Sequence, residues 1–189
     1  MTIHVEGTDP YAWPYDGRLA GGHLALVLAG WDAGWTSRCV SIDEPDRCAR
    51  DLAVAVDALG GLVVRLAHTG AAPQALPVDA ITIAVPGIDG FYASALDDLL
   101  RTQGRTHLLV AGHGLEAAVH STLRSANDRG YECLLVTDAS APLTTDLEAA
   151  SASTVTMSGG IFGAIGTTPA VLRALQPVPT LVPSTPQEA

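Results

Sequence analysis

The stretch HLLVAGHGLEAAVHSTLRSANDRGYECLLVTDAS, residues 107–140, decides the fold. It opens with an apolar run, His107 to Ala111, passes a glycine turn at Gly112–Gly114, and then changes period. Leu115, Ala118, Val119, Thr122, Leu123 and Ala126 recur at helical spacing up to Arg129, with Glu116, His120, Arg124 and Asp128 mostly turned away. Gly130 stops the helix, and Cys133 to Val136 forms a second apolar run closing on Thr137 and Asp138. Strand, helix and strand in so short a span require a crossover, and so a parallel pair.

The same alternation extends to both sides. His23 to Ala29, followed by Gly30, reads as a strand covered on both faces. Asp46 to Gly60 reads as a helix through Ala49, Leu52, Ala53, Val56 and Leu59. Gly61–Ala67 and Ala80–Val85 read as strands, Tyr92–Gln103 as a helix, and Val171–Leu175 as a short closing helix. The pattern predicts an α/β fold: a doubly wound, mostly parallel, Rossmann-like sheet in three layers, α/β/α. Its organisation reads as an N-terminal arm at 1–22, the α/β domain at 23–175, and a Pro-rich tail at 176–189. The arm carries Tyr11, Trp13, Pro14 and Tyr15, suited to an ordered extension packing its aromatics on a neighbour. Ligands of such sheets sit beyond the carboxyl ends of the strands, which directs attention to Ala29–Ala33, Val85–Gly90 and Gly112–Ala118.

The 189 residues suit one core. Hydrophobic residues make up 48% and charged residues 16%, and mean hydropathy is +0.27, so burial against another subunit is expected. A formal net charge of −10 without any basic cluster argues against nucleic acid and anionic membranes as partners. No leader-like N-terminal pattern or spanning apolar run is present, and a cytoplasmic location is expected. Cys39, Cys48 and Cys133 have neither the count nor the spacing of a disulfide framework or a structural zinc site, and read as free thiols.

Gly112-His113-Gly114-Leu115-Glu116-Ala117, a G-x-G-x-x-A with Asp138 ending the next strand, has the outline of a dinucleotide fingerprint. It lies late in the chain, however, and a tight turn into a helix accounts for its glycines. His113, Glu116 and His120 could approach a zinc constellation, but no H-E-x-x-H or carboxylate cluster supports one, so no metal and no cofactor is expected. No G-x-S-x-G elbow occurs, which removes the serine-hydrolase class.

Residues 108–140 resemble the signature of the isochorismatase-like cysteine hydrolase superfamily: a strand, G-x-x-T-x-x-C-V-x-S-T-x-R, a helix ending R-G-Y, and a strand closing in D-A. DPYAWPYDGRL at Asp9–Leu19 is similar to the entry segment of the biuret hydrolase and ureidoacrylate amidohydrolase branch, and SGGIFGAI at Ser158–Ile165 to its C-terminal loop. The resemblance covers nearly the whole chain and implies the isochorismatase-like fold. It also implies cleavage of amides or related C–N bonds by a Cys nucleophile, an Asp that takes its proton and an assisting Lys. At those positions this sequence has Ala118, Ala29 and Val85, and the chain contains no lysine. Leu115 replaces the family Thr, and the connection His68–Asp79 is shortened. Asp32 could replace the acid if the strand end slipped by three residues, but no such slip restores all three groups.

Three functions are therefore expected, in falling order. The first is a non-catalytic subunit, structural or regulatory, that pairs with an active paralogous C–N hydrolase. The second is a homo-oligomer that holds a small amide or acid in a pocket around Trp31, Asp32, His113, Gly114, Leu115 and Glu116. The third is a hydrolase using a different site built on His113, Glu116 or Asp32.

Overall fold

Leu24–Ala29 (β1) is six apolar residues, all buried, and a strand apolar on both sides must lie inside a sheet with both faces covered. The computed structural model describes residues 3–176 and places β1 at the centre of six parallel strands. The others are Leu62–His68 (β2), Ile81–Val85 (β3), His107–His113 (β4), Glu132–Ala141 (β5) and Ala164–Gly166 (β6), in the spatial order β3-β2-β1-β4-β5-β6. The sheet is the doubly wound parallel one expected from the sequence.

Strand alternation divides the core. Leu24, Leu26 and Leu28 face helix Asp43–Ala58 (named α2, after the short turn Ala33–Thr36, α1) and join a cluster that includes Val171 of Thr168–Ala174 (α6). Ala25, Val27 and Ala29 face the opposite layer, which contains Leu96–Thr102 (α3), His120–Asp128 (α4) and Val155 of Glu148–Gly160 (α5). Trp13 and Val5 of the N-terminal segment are fully buried in the first cluster, so the aromatic expected to pack on a neighbour packs within its own chain; Tyr15 is 79% exposed.

Several elements differ from the sequence expectation: α1 is an added turn, and β5 runs to Ala141 rather than Val136. β6 and α5 were not anticipated: β6 has only three residues, and α5 buries only Ser151 and Val155, so it shows no apolar stripe. The helix expected from Tyr92 begins at Leu96, because Asp89 and Ser94 hold residues 89–96 in a tight loop through Phe91 N and Leu96 N. The proline-rich tail falls beyond the described residues except for Gln176.

The chain winds outward in both directions from the β1/β4 boundary, and such a switch point opens a crevice at the carboxyl ends of the two strands. β1 and β4 run in register there, Ala29 beside Gly112.

Candidate functional site

Ala29 ends β1, Val85 ends β3, and Ala118 lies in the π-helical turn Leu115–Val119 that follows β4. All three are buried in one apolar cluster with Leu115, Phe91, Leu66 and Trp35. The positions that the resemblance assigns to acid, lysine and cysteine are thus brought together on one side of the sheet, and their side chains are methyl and isopropyl groups. Nothing among them can attack, donate or accept a proton.

Trp35 closes the crevice. Asp32 caps the turn α1, its Oδ1 accepting from Gly34 N (2.8 Å) and Trp35 N (3.1 Å), which directs the indole back over the switch point. A Cβ on Gly114 would stand 2.7 Å from the indole ring, and one on Gly30 would stand 3.0 Å from it. A Cβ on Gly112 would collide with the Ala29 carbonyl at 2.1 Å. The glycines of the apparent dinucleotide fingerprint are therefore required by strand, turn and indole, and Gly112 and Gly114 both have positive φ. Asp138, the acid of that fingerprint, accepts from Thr168 N and Oγ1 at the start of α6.

The other sequence-selected residues are dispersed. His113 and Trp31 lie on the α2 side, stacked at 4.7 Å and 9° and both buried. His113 Nε2 is 2.6 Å from Asp46 Oδ1, while Nδ1 faces the Gly30 carbonyl (3.2 Å) and Thr36 Oγ1 (3.1 Å). The Thr36 hydroxyl donates its own proton to the Asp32 carbonyl, so both ring nitrogens face acceptors. Asp32 gives its second oxygen to His68 N (2.8 Å). Glu116 accepts from Leu143 N and Thr144 N, tying the turn after β4 to the segment after β5. Leu115 belongs to the apolar fill. His120 is half-buried against Phe162, with its pKa lowered by burial and then by Arg124. Among the described residues, no three His, Cys, Asp or Glu side chains converge as a metal site.

The thiols are held protonated. Cys39, which sequence reasoning left aside, reaches the carboxyl edge: its Sγ accepts from Gly114 N (3.2 Å) and donates to the Ala141 carbonyl (3.6 Å). Burial pushes its pKa up despite the Gly114 N–H, and burial likewise raises Cys48 and Cys133. Sequence reasoning also missed Asp46 and Trp35. No local pattern announces either role, because Asp46 meets His113 across 67 positions and Trp35 resembles any core aromatic.

Two clefts adjoin this region. One of about 520 Å³ is rimmed by Asp43, Glu44, Asp138 and Glu148 beyond β5. The other, of about 310 Å³, lies over β1 and β2 outside Trp35.

Residues 49–168, which take in β2 to β6 and α3 to α5, match the isochorismatase domain model. The chain belongs to the isochorismatase family. It is 35% identical over 141 residues to the streptothricin hydrolase of Streptomyces noursei, a match covering 67% of this chain and 53% of that protein, about half the relative's length. The cysteine hydrolase of Pseudomonas syringae pv. phaseolicola superposes with a TM-score of 0.74 at 17% identity, covering 83% of this chain and 94% of that one. The nicotinamidase of Staphylococcus aureus superposes with a TM-score of 0.69 at 14% identity, covering 77% and 99%. At those identities the two structures establish the shared fold of this isochorismatase-family chain. No helix among its described residues is long and apolar enough to cross a membrane.

Proposed function

We propose that this isochorismatase-family chain is non-catalytic and serves as a structural or regulatory subunit for an active chain of the same fold. The observation that carries the reading is the apolar fill: Ala29, Val85, Ala118 and Trp35 share one buried cluster. Loss of a nucleophile alone removes several orders of magnitude in rate, and here its acid and its cation are replaced as well. The titratable groups nearest the crevice are already engaged, Asp32 and Glu116 by backbone N–H groups and His113 by Asp46.

Pairing with another subunit is supported by apolar side chains left in solvent, among them Tyr92 at 65%, Met157 at 51% and Ile161 at 49% exposure. The partner is a paralogous isochorismatase-fold chain that retains Asp, Lys and Cys. Co-expression with such a chain, followed by native mass measurement and amidase assay of the complex, tests the proposal. The expected result is a hetero-oligomer whose turnover differs from that of the partner alone. A chain that remains monomeric beside the partner and cleaves amides unaided overturns it.

A further inference from the structure

The cleft of about 310 Å³ outside the apolar fill is walled by Asp32, Trp35, Arg38, His68, Ala71 and Ile88, together with two glycines. We propose that it binds a small organic carboxylate with a flat apolar body, Arg38 gripping the carboxylate and Trp35 with Ile88 holding the body. The volume lies at the lower end of the range for small-molecule sites, and the wall has their usual composition, apolar surface with a few polar groups.

Arg38 is the decisive group. Its guanidinium lies 5.7 Å from the centroid of the Trp35 ring, and among the described residues it forms no salt bridge. Arg47, Arg50 and Arg101 are each tied to a carboxylate, and Arg65 and Arg105 to backbone carbonyls. In a chain with twice as many acids as bases, an arginine stacked on an indole and left unpaired at a cleft holds its planar fork ready for a carboxylate.

The one acid in the wall does not occupy that cation. Asp32 gives its oxygens to the N–H groups of Gly34, Trp35 and His68, which disperses its charge into the backbone. The His68 ring stands on the rim, tethered through Nδ1 to the Thr69 carbonyl at 3.2 Å. Ile88 is 53% exposed on the loop after β3, which supplies an apolar wall for an organic body. Charge alone would accept inorganic phosphate equally well; the indole and Ile88 favour a carbon skeleton. The inference needs the cleft and not the absence of catalysis.

Titration calorimetry of the full chain with benzoate, benzamide and inorganic phosphate tests it. Benzoate is expected to bind, with benzamide and phosphate each at least about tenfold weaker, since the charged bidentate pair is lost in one and the apolar contact in the other. Arg38→Ala is expected to weaken benzoate about tenfold or more, with Arg38→Lys recovering only part of the loss. Ile88→Asp should weaken it too, and Arg124→Ala on α4 should leave it unchanged. Arg38 and Ile88 are exposed, so thermal melts of their variants should match the parent and exclude misfolding as the cause. No benzoate binding, phosphate binding as tightly as benzoate, or Arg38→Ala binding like the parent each overturns the proposal. Amide cleavage measured in parallel reports separately on the non-catalytic reading.

Discussion

The two sides of the β1/β4 switch point are built from opposite chemistry. Toward α2, His113 stacks on Trp31 and bonds Asp46, and the Thr36 hydroxyl and the Gly30 carbonyl complete a buried polar network. Toward α4, Ala29, Val85, Ala118, Leu115 and Trp35 form a dry packing without a titratable group. Both sides are buried, so burial is not what separates them. The polar side joins the crevice to α2 through directional bonds, whereas the apolar side packs aliphatic and indole groups without any. The two sides therefore close the switch point by different means, hydrogen bonds on one and packing on the other.

Substitutions can break this comparison one side at a time. Trp35→Ala removes the largest component of the apolar side and leaves a cavity, with an expected loss of about 4 kcal/mol in unfolding free energy, measured by urea titration. A loss below about 1 kcal/mol would show that the indole is not packed as described. Asp46→Ala strips the buried His113 of its partner and should cost about 3 kcal/mol, while Asp46→Asn keeps an acceptor and should recover part of it. Asp32→Ala removes the cap of α1 and frees the N–H groups of Gly34, Trp35 and His68, with about 2 kcal/mol expected in the same titration.

The smallest effect is alkaline. Burial raises the Cys39, Cys48 and Cys133 thiols in the folded chain, whereas the unfolded chain releases those protons near the ordinary thiol value of about 8.5. The contribution is fully present below that value, and stability falls as pH rises above it, because the unfolded state then binds fewer protons. The urea midpoint should decline between about pH 8 and pH 10, less steeply in a Cys48→Ala/Cys133→Ala variant. An equal decline in that variant would assign the loss to other groups, such as Tyr11 and Tyr131, which burial also raises.

The sheet was legible because β1 and the Leu108–Ala111 stretch of β4 are apolar runs, and glycines punctuate the crossovers. The resemblance assigns the family's reacting positions to Ala29, Val85 and Ala118, and all three lie in one buried apolar cluster. The packing was not legible. A tryptophan reads the same wherever it packs in a core, and no local pattern announces that Asp32 accepts from three backbone N–H groups. The short connection His68–Asp79 also conceals its role: Gln74 N donates to the Trp31 carbonyl, and Arg65 bonds the Gln74 carbonyl, so the segment folds back over α1. α5 was not legible because its Ala, Ser and Thr residues give it no apolar stripe.

The most direct measurement is the hydrolysis rate of the purified chain on a panel of primary amides and ureas, with and without prior alkylation by iodoacetamide. The expected result is release of ammonia at the uncatalysed rate in both samples. Turnover above that rate, abolished by alkylation or by Cys39→Ala, would show a working thiol at the carboxyl edge and contradict the inert, filled crevice.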